Sequence, residues 1–200
     1  MNKTDKQWGW LLIGLLAGMI IGVLTWPEEA WGAEPVITYK DGQTVKDDEV
    51  YPSLDEVKEA QRFLSENGIK VPAYIEILCE EYGQRYGIAP ELLESMIFVE
   101  SSFQKDVVDG SGTCKGLMQV KPSAHRNRMG KLGVSDIFDP TGNIATGTDY
   151  LAELFETYED PAAALMVYNG DPHADQPGYV SNYAEKVLRI SQALERAKYK

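Results

Sequence analysis

The stretch P-E-L-L-E-S-M-I-F-V-E-S-S-F, Pro90 to Phe103, together with G-L-M-Q-V at Gly116 to Val120, decides how the rest of the chain is read. Pro90 suits the first turn of a helix, where its missing N–H has no partner to lose. In that helix Leu93, Met96, Ile97 and Glu100 stand at i, i+3, i+4 and i+7, so an apolar face ends in a carboxylate. A carboxylate pressed against apolar neighbours loses hydration and its pKa rises, which is how a general acid stays protonated near neutral pH. A Glu near a helix end can equally turn toward solvent. On these residues alone both readings stand.

Working outward, the flanking sequence is helical in pattern. Ser53-Leu54-Asp55-Glu56 is a capping box ahead of an apolar spacing at Leu54, Val57, Ala60 and Leu64, stopped by Asn67-Gly68. Pro72 opens a helix with Ile75, Leu78 and Tyr82 on one face, ending between Gly83 and Gly87. Downstream, Lys121-Pro122-Ser123 starts a helix that runs to about Met129-Gly130, and Asp139-Pro140 leads into one with Ile144, Gly147, Leu151, Leu154, Phe155 and Tyr158 in a stripe. Asp160-Pro161 caps P-A-A-A-L-M-V-Y-N-G, which is nearly all small and apolar and so is expected to be buried. After a loop from Asp171 to Gly178, Val180, Tyr183, Val187, Ile190 and Leu194 share the face of a last helix. The fold class expected is mainly α, over a folding domain at 71–200. Residues 34–70 read as a linker with an amphipathic helix and a short hairpin around Val36–Tyr39 and Lys40-Asp41-Gly42.

Residues 1–33 read differently. After Lys3 and Lys6, nineteen uncharged residues from Trp8 to Trp26 are enough to cross a hydrocarbon core as a helix. Trp at both ends and Lys before them predict a membrane anchor with a cytoplasmic N-terminus and everything after it outside. A cleaved signal segment, using the small residues of Ala30-Trp31-Gly32, is the competing reading, and the protein would then be secreted. Export makes a disulfide between Cys79 and Cys114 possible, and two free thiols are the alternative. With 31 acidic against 19 basic residues the net charge is −12, which disfavours nucleic acid as a partner. Two distant His, His125 and His173, and two Cys give no metal-ligand pattern.

Four blocks carry a resemblance: E-S-S-F at Glu100 to Phe103, G-L-M-Q-V at Gly116 to Val120, D-P-T-G-N-I-A-T-G-T-D-Y-L at Asp139 to Leu151, and A-L-M-V-Y-N-G at Ala164 to Gly170. In this order they resemble the soluble lytic transglycosylase domain, related to goose-type lysozyme, over about residues 75 to 190. The resemblance implies a lysozyme-like, predominantly helical α+β domain. It also implies cleavage of the β-1,4 bond between N-acetylmuramic acid and N-acetylglucosamine in peptidoglycan, without cofactor or metal, by a protein expected to be monomeric. Glu100 matches the family's one catalytic carboxylate, and Tyr168 matches a Tyr whose hydroxyl reaches it. Ser101, Met118, Gln119, Asn169 and Tyr179 match substrate-binding positions, Gln119 offering an amide to the sugar acetamido groups.

The chain also departs from the family pattern. Thr113 and Cys114 stand where Gly-Ala is common, and Gly170 is followed by Asp171-Pro172. Lys121 follows the G-L-M-Q-V block where goose-type lysozymes carry an Asp, which favours a transglycosylase over a hydrolase. Two alternatives stay open. An inverting muramidase would need Asp106, Asp109 or Asp171 to stand opposite Glu100, and a non-catalytic peptidoglycan-binding protein would need no desolvated acid at all.

Overall fold

The computed structural model describes residues 52–198 in full and, ahead of them, the backbone of 12–15, 20–25, 36–39 and 44–46. The chain divides into two units, Met1–Ser53 and Leu54–Lys200. In the first, β1 (Leu12–Leu15), β2 (Ile20–Thr25), β3 (Val36–Tyr39) and β4 (Thr44–Lys46) pair antiparallel in sequence order, with Leu15 opposite Ile20 and Thr25 opposite Val36. This corrects the expected membrane-spanning helix over Trp8–Trp26, which β1 and β2 interrupt. The composition of the run accounts for it: Ile13, Ile20, Ile21 and Val23 favour strands, and Gly14 and Gly22 each cost a helix about 1 kcal/mol. No described helix is long and apolar enough to cross a membrane. The hairpin expected around Val36–Tyr39 is β3 with β4.

The second unit is helical: α1 (Leu54–Glu66), α2 (Ala73–Tyr86), α3 (Pro90–Ser101), α4 (Pro122–Leu132), α5 (Pro140–Thr157), α6 (Pro161–Asn169) and α7 (Asn182–Lys198). Proline in the first turn begins α3, α4, α5 and α6, and the Asp139 and Asp160 carboxylates accept from the Gly142 and Ala162 amides, 2.9 Å each, to cap α5 and α6. At the centre lies α3, whose Leu93, Met96 and Ile97 have no exposed surface. Each such side chain contributes about 1.5–3 kcal/mol by leaving water. Around it α2, α5, α6 and the first half of α7 build one core. The α6 segment is buried as its composition requires, through Ala162, Ala164, Leu165 and Met166.

A second, smaller cluster joins Ala60 and Leu64 of α1 to Ile190, Ala193 and Leu194 of α7. Thus α1, which falls within the stretch read as linker, packs into the helical unit. It buries Val57, Ala60 and Leu64, while Leu54, at the start of the expected stripe, is 68% exposed. Its contact is with the helix that lies most extensively against α3, so α1 buttresses α7 from behind.

Candidate active site

Glu100 occupies the last turn of α3, and the chain leaves that helix through two successive non-glycine residues in the left-handed region, Ser102 (φ 50°) and Phe103 (φ 64°). Each such residue costs on the order of 1 kcal/mol, and strain of this kind collects where a sharp turn serves a site. The turn sends the chain into the 104–120 loop, whose ends meet as short bridges, Val108 with Lys115 and Lys115 with Val120. Asp109 ties its tip together, accepting from the Thr113 amide at 2.6 Å, the Cys114 amide at 2.8 Å and the Ser111 hydroxyl. These donors hold the Asp109 carboxyl well down, at about 2.

The fixed backbone of G-L-M-Q-V comes from Asn143, fully buried on α5. Its amide nitrogen donates to the Lys115 and Ile137 carbonyls at 2.9 and 2.8 Å, and its oxygen accepts from the Met118 amide at 2.8 Å. This close approach leaves no room for a side chain at Gly116 (φ 78°), where a Cβ would lie 2.2 Å from the Asn143 amide nitrogen. Gly147 plays the same part for the next layer, since a Cβ there would meet Met118 Sδ at 2.6 Å and Tyr168 Oη at 2.9 Å.

The expected partner of Glu100 is the wrong tyrosine. The Tyr183 hydroxyl, from the first turn of α7, donates to Glu100 Oε1 at 2.6 Å. The Tyr168 hydroxyl donates instead to the Met118 carbonyl at 3.0 Å. Tyr168 is still a neighbour of the acid: burial first, then the Glu100 charge, raises its phenol pKa well above the ordinary value. The Glu100 carboxyl is itself raised by burial, a rise that the Tyr183 hydrogen bond partly offsets because it favours the charged form. Tyr183 carried a signal in the sequence. A polar tip on an otherwise apolar helix face is the same anomaly that marks Glu100.

Other expectations also change. Met118 is fully buried against Gly147 and belongs to the core, not to the wall of a cleft. Gln119, in the left-handed region at φ 45°, spends its amide N–H groups on the Gly116 and Val107 carbonyls at 2.9 and 3.2 Å, clipping its own loop. Ser101 donates to the Ile97 carbonyl at 3.0 Å, the ordinary outlet for a serine at a helix end. Asn169 is exposed at the end of α6, and Tyr179 is 37% exposed with its ring 5.4 Å from that of His173. Both cysteines are free thiols. Cys79 is sealed in α2 among charges of the α3 N-terminus, Glu94 and Glu91, whereas Cys114 lies in the loop beside Thr113. The two ends of α3 separate them.

Two of the three carboxylates that could stand opposite Glu100 are held in local hydrogen bonds. Asp109 is tied into its loop, Asp106 is exposed and 3.6 Å from Lys105, and Asp171 accepts from the His173 amide at 2.8 Å. Burial raises the Glu100 carboxyl, and the Tyr183 hydroxyl is its hydrogen-bond donor. A lone, half-buried, hydrogen-bonded carboxyl can donate a proton and take one back at the same position.

The family model described as "Transglycosylase SLT domain" matches residues 77–186 of this chain. Among curated proteins, the chain is 32% identical over 106 residues to the transglycosylase of Enterobacteria phage PRD1, covering 52% of this chain and 38% of that protein. It is 36% identical over 102 residues to membrane-bound lytic murein transglycosylase C of Serratia proteamaculans, covering 44% and 28%. To endo-type membrane-bound lytic murein transglycosylase A of Klebsiella pneumoniae it is 38% identical over 114 residues, covering 54% and 52%. The chain thus spans about half or less of the length of these relatives. Among solved structures, an inactive mutant of the lytic transglycosylase Slt of Pseudomonas aeruginosa aligns with a TM-score of 0.48 at 18% identity, covering 64% of this chain and 23% of that one.

Proposed function

The chain belongs to the transglycosylase SLT domain family, and from that membership and the isolation of Glu100 we propose that it is a peptidoglycan lytic transglycosylase. The substrate is the β-1,4 bond between N-acetylmuramic acid and N-acetylglucosamine. Glu100, whose hold on its proton burial strengthens, gives that proton to the glycosidic oxygen as the C1–O bond breaks, and the N-acetylglucosamine leaves with a free 4-hydroxyl. The 2-acetamido group of the muramoyl residue carries the positive charge that develops at C1. The Glu100 carboxylate then removes the proton of the C6 hydroxyl while that oxygen bonds to C1, which closes a 1,6-anhydro ring and returns the acid to its starting form. No water is consumed, and no second carboxylate is required.

The observation that carries this reading is the Tyr183 hydroxyl on an otherwise lone Glu100. A phenol on a packed helix fixes the carboxyl's orientation for both proton transfers, and its hydrogen bond eases the return to the charged state that the second transfer needs. A muramidase would want a base across the cleft, and Asp109 and Asp171 are held in hydrogen bonds of their own loops. Because the glycan lies outside the cytoplasmic membrane, the domain acts there, and the apolar run from Trp8 to Trp26 carries the export address. Mass spectrometry of peptidoglycan digested by the full chain tests the proposal. Products short of one water, with 1,6-anhydromuramoyl ends, are expected, and reducing muramic acid ends would overturn it.

A further inference from the structure

Residues 77–186 are those matched by the family model, so α1 and the part of α7 beyond Lys186 lie outside it. These two segments pack on each other. Ala60 and Leu64 of α1 share a small core with Ile190, Ala193 and Leu194 of α7, and Phe98 and Val99 of α3, the two residues before Glu100, pack against it. The cluster therefore touches both helices that supply the Tyr183–Glu100 hydrogen bond, although none of its members takes part in that bond.

The register of α7 connects this contact to the site. Tyr183, Val187, Ile190 and Leu194 stand at i, i+4, i+7 and i+11, one face of the helix. Val187 enters the main core, and Ile190 and Leu194 enter the α1 cluster. The seat that α1 gives Ile190 and Leu194 thus fixes the rotation of α7 about its own axis, and with it the direction of the Tyr183 ring. Further ties secure the same half of the helix: the Arg189 guanidinium lies 4.6 Å over the Phe63 ring, Arg196 Nη2 is 3.8 Å from Glu56 Oε1, and the Gln61 amide donates to the Ala197 carbonyl at 3.4 Å. Ahead of Tyr183 the chain is held less. Residues 175–180 are all exposed, and the approach is first anchored at buried Ser181, whose hydroxyl accepts from the Ala184 amide at 3.2 Å. A side-chain tip about 5 Å from a helix axis moves about 1 Å when the helix turns by about 10°. An error of about 1 Å at a reacting group can cost about 10²-fold in rate.

We propose that α1 is a positioning element of the active site: by seating Ile190 and Leu194 it sets the rotation of α7 that brings the Tyr183 hydroxyl onto Glu100, a role that rests on the reading of Glu100 as the acid and Tyr183 as its partner. Leu64 and Phe63 are the positioning residues, and both act through α7. A helix that only added stability would leave the folded enzyme's chemistry untouched.

The test reads the Glu100 carboxyl directly. The titratable groups the structure sets about it are Tyr183 of α7, which donates to it, and Tyr168 of α6, whose phenol its charge raises. In nuclear magnetic resonance titration of the full chain, labelled with ¹³C at the glutamate carboxyls and assigned by the signal missing from Glu100→Gln, Leu64→Ala is expected to move the Glu100 titration to higher pH. Tyr183→Phe moves it the same way, because a hydroxyl drawn off the carboxylate no longer stabilises its charged form. At a temperature where circular dichroism shows both proteins folded, kcat on peptidoglycan should fall about three- to tenfold, and Leu64→Met should restore both readouts. In the Tyr183→Phe background Leu64→Ala should change neither, since the bond is already gone. Phe63→Leu, at a half-buried position, should give a smaller shift of the same sign, and it decides the matter if Leu64→Ala does not fold. An unmoved titration, or an equal fall of kcat in the two backgrounds, would overturn the proposal. If wild type itself does not cut peptidoglycan, the reading of the enzyme fails, while the titration still decides the role of α1.

Discussion

The two ends of α3 each hold a buried glutamate, and they are built to opposite purposes. Glu94 has no exposed surface, no hydrogen-bond partner for either oxygen among the described residues, and Lys198 Nζ at 3.5 Å as its nearest cation. Its carboxyl is pushed up to about 7, by burial first, against the pull of Lys198. Glu100, about 9 Å further along the axis, is raised by burial too, but it remains half-exposed and takes a 2.6 Å hydrogen bond from Tyr183. An elevated pKa is thus shared by both and marks neither as the acid. What differs is access for a substrate and a rigid donor that orients the carboxyl. Burial sets the proton affinity, and geometry decides whether it can be used.

The largest effect expected from this contrast is at Glu100. Glu100→Gln should lower the turnover of peptidoglycan by about 10²–10⁴-fold with an unchanged thermal transition, measured as release of soluble muropeptides. Lysis at the wild-type rate would transfer the role elsewhere and break the comparison. Tyr183→Phe comes next. It should cost about tenfold in kcat, and it should also move the alkaline limb of the pH–rate profile to higher pH. The sign follows from the bond: the hydroxyl stabilises the carboxylate, so its loss raises the Glu100 pKa and keeps the acid protonated further into the alkaline range. A limb that stays in place, or moves down, would mean that Tyr183 serves packing alone. A third effect is structural. Gly147→Ala drives a methyl group into Met118 Sδ and Tyr168 Oη, and chemical denaturation should register a loss of about 1–3 kcal/mol, the range for overpacked cores.

The same contrast explains what the sequence disclosed. Helix starts at proline and aspartate, and the apolar stripes of α2, α5 and α7, were legible because local chemistry and periodicity encode them. Glu100 was legible as a carboxylate closing an apolar face. Glu94 was not, because P-E-L-L-E reads as acidic residues in a first helical turn, where the dipole welcomes them in solvent; its burial depends on α7 folding back to bring Lys198 over it. The expectation that Tyr168 bonds Glu100 fails for a related reason. Tyr168 lies in the last turn of α6 and Tyr183 in the first turn of α7, and only the crossing of α7 over α3 decides which hydroxyl arrives at Glu100. Gln119 and Met118 were assigned to substrate by motif; the Asn143 clamp buries Met118 in the loop's own scaffolding, and Gln119, at positive φ, gives its amide N–H groups to that loop. The Trp8–Trp26 run misled through length, which hydropathy counts, while its glycines and β-branched residues form β1 and β2.

Glu94 supplies the last and smallest effect, and the sharpest control. Its folded-state carboxyl titrates near 7, above the roughly 4.3 of an unfolded chain. Between those values the folded protein holds a proton that the unfolded chain has released. Stability from this group is therefore greatest below about pH 4.3, declines as pH rises through the window, and levels off above 7. Glu94→Gln mimics the protonated form, so near pH 5 it should change stability little, and at pH 8 it should raise it by about 1–3 kcal/mol, the pKa difference converted at 1.36 kcal/mol per unit and rounded down for relaxation of the site. Lys198 keeps Glu91 as a partner at 2.7 Å, so no charge is orphaned by the change. Denaturation midpoints of the two proteins from pH 5 to pH 8 should diverge, while muropeptide release stays at the wild-type rate. Parallel curves would place the Glu94 proton outside the folding equilibrium, and a fall in activity equal to that of Glu100→Gln would show the two ends of α3 to be one site.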